Sequence, residues 1–223
     1  MKRRHRMNNY KLIIFDLDGT LADTSPGILN SIRYARKMMD LPEITLEQMY
    51  SHVGPPMDES YARNFGLSGD RLRQAVEYHK EYAVKQGYKE IELYPHITDL
   101  LDKLKAQGKL TAVATLKAHQ TAVKIFDTFG LSDKFDIVTG VDTKAPKTKA
   151  QLLEHCLEKS GCDKSQAVLI GDSKYDAIGA KEAGIDFIAV TYGFGFKTEE
   201  DAKEFPCCAV CDDVIQIEKF LCE

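Results

Sequence analysis

Two carboxylates two residues apart, Asp16 and Asp18, stand where the short apolar run Tyr10 to Phe15 breaks into Asp16-Leu17-Asp18-Gly19-Thr20. That spacing can bring both acids to one side of an extended chain. One acid can then act as a nucleophile if a cation holds its charge, while the other carries a proton to a leaving-group oxygen. A solvated acidic turn, with Gly19 supplying a positive φ, accounts for the same pair equally well. Further on, Gly171-Asp172-Ser173-Lys174-Tyr175-Asp176 places two more acids behind a second apolar run, Ala167 to Ile170. Such hard oxygen ligands suit magnesium, which takes few carboxylates together with waters and phosphate oxygens. Capping of the following helix by Asp172 or Ser173 explains one of these acids but not both.

The chain between the two acidic clusters supplies complementary groups. Thr115 follows Ala112-Val113-Ala114, with Leu116 and Lys117 behind it. A hydroxyl and free backbone N–H groups at a strand-to-helix turn form an oxyanion pocket, although a threonine there also serves as a helix N-cap. The stretch Lys144-Ala145-Pro146-Lys147-Thr148-Lys149 is basic and opens a helix. A lysine so placed would offset the charge of a carboxylate nucleophile and of phosphoryl oxygens together, against the plainer account of a solvated basic face.

These groups need a frame, and apolar periodicity predicts one. After Pro95 the sequence reads as helix near 97–107, strand 110–114, helix 119–129, strand 136–139, helix 148–160, strand 167–170, helix 175–183 and strand 186–190. A last strand over Cys208 to Cys211 and a helix over 213–221 follow. Gly108, Gly130, Gly161 and Gly184 each fall just after a predicted helix, where a left-handed cap is wanted. Repeated βα units imply a parallel sheet covered by helices on both faces, an α/β doubly wound fold. From about Thr24 to Tyr88 the pattern is helical instead: Ile28, Ile32, Ala35, Met38 and Met39 recur at helical spacing, as do Leu72, Ala75, Val76, His79, Tyr82 and Ala83. The expected organisation is an α/β core of residues 1–21 and 91–223 interrupted by an all-helical lobe, 22–90. In such sheets ligands bind at the carboxyl ends of the strands, where all the clusters above fall.

Taken in order, Asp-x-Asp-Gly-Thr, a lone hydroxyl, a lysine and Gly-Asp-x-x-x-Asp resemble the haloacid dehalogenase-like hydrolase superfamily over essentially the whole chain. The resemblance implies that Asp16 is a nucleophile and that Asp18 is a general acid/base whose backbone carbonyl also binds Mg²⁺. It implies that Thr115 and the Leu116 N–H hold phosphate, that Asp16 and Asp172 bind the metal and that Asp176 supports the site. The family often sets its lysine just before a proline, a step that Lys144-Ala145-Pro146 misses. In phosphoglycolate-phosphatase-like members the lysine opens the helix directly; Lys149-Ala150-Gln151-Leu152-Leu153 looks like that version, which favours Lys149 over Lys147. Tyr192-Gly193-Phe194-Gly195 resembles the glycine-rich segment of the same subgroup. The lobe 22–90 resembles the family's cap, and its loop His52-Val53-Gly54-Pro55-Pro56-Met57 is the candidate for contact with the organic part of the substrate. Dehalogenases of the superfamily lack an acid at the position of Asp18, since a halide leaves without a proton. Keeping that acid implies phosphoryl transfer: a Mg²⁺-dependent phosphatase of small-molecule phosphate monoesters working through an aspartyl-phosphate. A sugar phosphomutase is the alternative within the superfamily, and a non-catalytic binding protein is a third reading.

The gross properties fit a small-molecule enzyme. The chain has 223 residues, 43% hydrophobic and 29% charged, with a formal net charge of -4. That charge gives no electrostatic reason to expect nucleic acid or an anionic membrane as a partner. No apolar run approaches the roughly 20 residues that a membrane-spanning helix needs. The start, Met1 to Tyr10 with Lys2, Arg3, Arg4 and Arg6, lacks the apolar region of an export signal and reads as a frayed basic tail. Of the six cysteines, Cys207, Cys208 and Cys211 form one C-x-x-C with no second pair or histidine cluster beside it. They read as small residues of a last strand, and reduced thiols in a cytoplasmic protein are the expectation. Neither the substrate nor the oligomeric state follows from the sequence.

Overall fold

Leu12–Phe15 forms β1, and all four side chains are fully buried. In the computed structural model, which describes residues 10–142, 145 and 147–222, β1 lies inside a parallel sheet. It pairs on one side with β4 (Leu110–Ala118) and on the other with β6 (Ala167–Gly171). With β5 (Ile137–Val141), β7 (Asp186–Val190) and β8 (Ala209–Cys211), the sheet has six strands among the described residues, in the order β5-β4-β1-β6-β7-β8. The chain thus winds outward from β1 in both directions, and the switch falls at the carboxyl ends of β1 and its neighbours.

Burial on both faces explains the unbroken apolar runs of the inner strands. Leu12 and Ile14 join Ala112, Ala114, Leu152, Leu153 and Leu169 in one buried cluster. Phe15 sets its ring edge-on to Phe135, centroids 6.3 Å apart, and Phe135 meets Phe126 at 5.1 Å. Each buried side chain of this size contributes about 1.5–3 kcal/mol.

The helices of this unit are α5 (Ile97–Ala106), α6 (His119–Thr128), α7 (Lys149–Ser160), α8 (Lys174–Ala183), α9 (Glu199–Lys203) and α10 (Val214–Cys222). Two of them start at capping boxes that bear on the site. Thr148 accepts from Gln151 N while Gln151 Oε1 accepts from Thr148 N, so Lys149 is the first residue of α7. Ser173 and Asp176 do the same for α8. Gly161 and Gly184 close α7 and α8 in the left-handed conformation expected of them.

Clustering of contacts separates Asp23–Glu92 from the α/β unit, which takes in the chain up to Ala22 and from Leu93 onward. The chain enters and leaves the second unit through β2 (Ala22–Asp23) and β3 (Glu92–Leu93). This unit contains α1 (Ser25–Met39), α2 (Leu46–Tyr50), α3 (Met57–Phe65) and α4 (Gly69–Lys85). Its own core gathers Ala35, Leu41, Tyr61, Leu67 and Ala75. Periodicity reveals α1 and α4 but not α2 and α3, which are too short to carry a repeating apolar stripe. Of the loop after α2, His52 and Val53 are buried. The His52 ring packs edge-on to Tyr61, centroids 5.2 Å apart, so it belongs to this unit's interior.

Elsewhere the strand and helix bounds read from the sequence shift by a residue or two, except in β4. That strand runs on to Ala118 with an irregularity in its register between Thr115 and Ala118. The sequence reading also missed α9, a single acidic turn and a half with little apolar pattern. Residues 1–9, with the basic Lys2, Arg3, Arg4 and Arg6, and likewise Lys144 and Pro146, lie outside the described residues.

Candidate active site

Asp16 is the first residue past β1, tied into the sheet by its N–H to Ile170 O at 2.9 Å. Lys149 reaches it from the first turn of α7. The Lys149 ammonium lies 2.7 Å from Asp16 Oδ1, 2.7 Å from Ala114 O and 2.7 Å from Asp176 Oδ1, and it donates to the first two. The contact with Asp176 is an ion pair without the alignment of a hydrogen bond. Lys149 is only 5% exposed, whereas Lys147 is exposed, so the structure brings the former into the cluster and not the latter. Room for its stem comes from Gly179 of α8, where a Cβ would stand 2.4 Å from Lys149 Cγ.

Asp172 and Asp176 arrive from the end of β6. Asp176 is 1% exposed, and its Oδ2 accepts from the Ser173 hydroxyl at 2.6 Å and the Ser173 N–H at 3.1 Å. Asp172 Oδ2 accepts from the N–H groups of Phe194 and Gly195 at 2.6 and 3.0 Å. Its other oxygen is the one available to a cation. Carboxylate oxygens of Asp16, Asp172 and Asp176 all lie within 4.8 Å of one another.

Asp18 and Thr115 flank this cluster. Gly19, at φ 78°, turns the chain after Asp18, and Asp18 Oδ1 lies 2.7 Å from Lys117 Nζ. Thr115 is buried one residue past Ala114, whose carbonyl holds Lys149. Its hydroxyl accepts from Lys117 N at 3.1 Å, and Ala118 stands at the N-cap of α6. The expectation that strand β4 stops before Thr115, leaving it at a strand-to-helix turn, therefore needs correcting: the strand runs on through Ala118. Leu116 is half-buried.

Burial disfavours the charges of Asp16, Asp172 and Lys149. It pushes Asp16 up to about 8 against the pull of the Lys149 ammonium, with Asp176, Asp18 and Asp172 adding repulsion. It pushes Asp172 up to about 7, helped by Asp176 and opposed by the two backbone N–H groups. Burial works against the charge of Lys149 too, but the carboxylates of Asp16 and Asp176 win and hold it well above the usual lysine range. With all three acids ionised, one ammonium would face three buried carboxylates and negative charge would be in excess. A hard divalent cation fits that donor set: oxygen ligands only, charge of the missing sign, and a carboxylate oxygen of Asp172 held in place by fixed N–H groups.

Of two further features of the site, one escaped the sequence. The pairing of Lys117 with Asp18 had no visible signal, because an irregularity in a strand cannot be read from apolar pattern. The segment Tyr192-Gly193-Phe194-Gly195 did have one, its two glycines. A Cβ on Gly193 would lie 2.5 Å from Asp172 Cβ, and one on Gly195 would lie 2.4 Å from Asp172 O.

Three acids and a lysine are thus gathered at the switch point of a doubly wound sheet. The chain belongs to the haloacid dehalogenase-like hydrolase family, whose pattern it matches over residues 13–190. It is 30% identical to a 5'-nucleotidase of Pseudomonas aeruginosa, covering 95% of this chain and 96% of that one. It is 33% identical to a phosphoglycolate phosphatase of Aliivibrio fischeri, covering 82% and 85%. A tyrosine-protein kinase, PtkA, of Mycobacterium tuberculosis is 35% identical over 83% of this chain and 63% of its own length. Among solved structures, a haloacid dehalogenase-like family hydrolase from Streptococcus pneumoniae superposes with a TM-score of 0.87 at 31% identity, covering 95% and 98%. No helix among the described residues is long and apolar enough to cross a membrane.

Proposed function

We propose that the chain is a Mg²⁺-dependent phosphatase that hydrolyses small-molecule phosphate monoesters, with Asp16 transiently phosphorylated. The observation that carries this reading is the buried contact of Lys149 with both Asp16 and Asp176, inside a cluster of three carboxylates that is short of positive charge. The carboxylates of Asp16 and Asp172, with the backbone carbonyl of Asp18, would hold the ion. Bound there, Mg²⁺ would offset the repulsion between Asp16 and a dianionic phosphate.

Asp16 attacks phosphorus in line, its carboxylate oriented by Lys149. The Thr115 hydroxyl and the Leu116 N–H bind phosphoryl oxygens. Asp18 gives a proton to the departing alcohol and then takes one from the water that hydrolyses the aspartyl-phosphate, so one group serves both half-reactions. The relatives' names support phosphate-ester chemistry of this kind: a 5'-nucleotidase and a phosphoglycolate phosphatase both release phosphate from small molecules. We take Asp23–Glu92 as the cap of this enzyme and the reaction as cytoplasmic.

The test is phosphate release across a panel of sugar phosphates, nucleoside monophosphates and phosphoglycolate, with Mg²⁺ and with a chelator. We expect metal-dependent release from at least one ester. Asp16→Asn should lower turnover by at least about 10³-fold while its melting curve keeps the wild-type cooperativity. Substantial metal-dependent turnover by that variant would overturn the nucleophile. Isomerised sugar phosphate with little free phosphate would mark a mutase instead.

A further inference from the structure

Lys117 has no role in the chemistry above, yet the fold spends three separate features on placing it. It follows Thr115 in the irregular stretch of β4, where the register slips between Thr115 and Ala118. The Thr115 hydroxyl accepts the Lys117 N–H at 3.1 Å, which pins the backbone of the irregular stretch. Across the sheet, Gly140 lets the displaced backbone come close: a Cβ there would lie 2.7 Å from Lys117 O and 2.8 Å from His119 Cα. An irregularity of this kind re-aims a side chain. Here it carries the Lys117 ammonium to 2.7 Å from Asp18 Oδ1, in a pair whose side chains are 16% and 14% exposed.

We propose that Lys117 is a positioning residue for Asp18, holding that carboxyl group in the orientation from which its proton, when it carries one, reaches the leaving-group oxygen. The inference rests on the phosphatase reading. Asp18 lies in a turn, and a carboxylate on two rotatable bonds sweeps more space than a proton transfer tolerates. In the step concerned, an Asp16 oxygen forms a bond to phosphorus, the bond from phosphorus to the leaving oxygen breaks, and the Asp18 proton moves to that oxygen. Lys117 neither gains nor loses a proton in this step. Its ammonium fixes one carboxylate oxygen by a charge-assisted hydrogen bond.

The consequence depends on the leaving group. A nitrophenolate departs without help, whereas an unsubstituted phenolate needs the proton far more. The experiment measures kcat/KM of wild type, Lys117→Met and Lys117→Arg on a series of ring-substituted phenyl phosphates, from 4-nitrophenyl to unsubstituted phenyl, with Mg²⁺ present. Because kcat/KM covers only steps up to leaving-group departure, later hydrolysis of the aspartyl-phosphate does not mask the effect.

For Lys117→Met we expect a loss of less than about threefold on 4-nitrophenyl phosphate, growing to about tenfold or more on phenyl phosphate. Lys117→Arg, which keeps the charge and a donor, should restore most of the loss on phenyl phosphate. An equal loss on every ester, as from a structural defect, would overturn the proposal, as would no loss on any. Melting curves of both variants identify a defect in folding, which would appear as an equal loss. A wild-type enzyme inactive on every ester of the series and of the metabolite panel would bring down the phosphatase reading itself.

Discussion

Asp16 illustrates what a single residue can and cannot tell. Beside Asp18 in the sequence, it could equally be part of a solvated acidic turn. Its burial and its contact with Lys149 are what distinguish it, and both arise from chain segments far away. Lys149 is legible because Lys149-Ala150-Gln151-Leu152-Leu153 resembles a family version in which the lysine opens the helix; Lys117 is not, because its direction depends on an irregular strand. The same burial yields a pH prediction. Without metal, the folded protein keeps protons on Asp16 and Asp172 up to about 8 and about 7, whereas the unfolded chain releases them near 4. The folded state thus binds more protons through that window. The stability these two groups contribute is present in full below about 4 and is lost as pH rises through 7 and 8. A cation competes with those protons, so Mg²⁺ should raise the melting temperature more at pH 8 than at pH 6. Differential scanning fluorimetry at the two pH values checks this, and an equal or larger gain at pH 6 would contradict it.

At the scale of elements, the sheet was largely visible, because strands buried on both faces are written as continuous apolar runs. The cluster at its edge depends on something less visible, the closeness of α7 to α8. Gly179 sits where a methyl group would strike the Lys149 stem at 2.4 Å. Gly179→Ala should therefore push the ammonium away from Asp16 and lower kcat/KM by about tenfold or more, since small misplacements at a reacting centre are costly. An interior glycine exchanged for alanine otherwise favours a helix by about 1 kcal/mol, so any loss of stability should be modest. Steady-state kinetics beside a melting curve separates the two effects; full activity in this variant would show that Lys149 does not need its observed position. The short helices α2 and α3 were missed for an unrelated reason. In a small unit with its own core, tertiary packing supplies most of the stability of a short helix.

For the molecule as a whole, the two units differ in how the chain builds them. The helical unit is continuous in sequence, while β1 must find β4 and β6 across everything between. Strands β1 and β6 are buried along their whole length and should exchange their amide hydrogens only through large-scale opening. A cation bound by Asp16 and Asp172 joins the ends of β1 and β6. Hydrogen exchange followed by mass spectrometry should thus show added protection on Mg²⁺ binding in residues 10–22 and 167–196, with little change in 23–92. Protection confined to 23–92 would place the metal elsewhere.

The glycines around Asp172 have a consequence for how freely this protein can vary. At Gly19, Gly193 and Gly195 a first side-chain carbon would fall 2.4, 2.2 and 2.4 Å from Asp172 Oδ2, Gly19 O and Asp172 O. All three obstructions are backbone or a carboxylate already held by two N–H groups, so none can move aside cheaply. In a saturation library scored for function, these three positions should accept no substitute, while exposed positions a few residues away, such as Glu199 and Glu200, accept nearly all. The outline of the site would then be legible as a map of intolerance, with no ligand bound and no catalytic group altered.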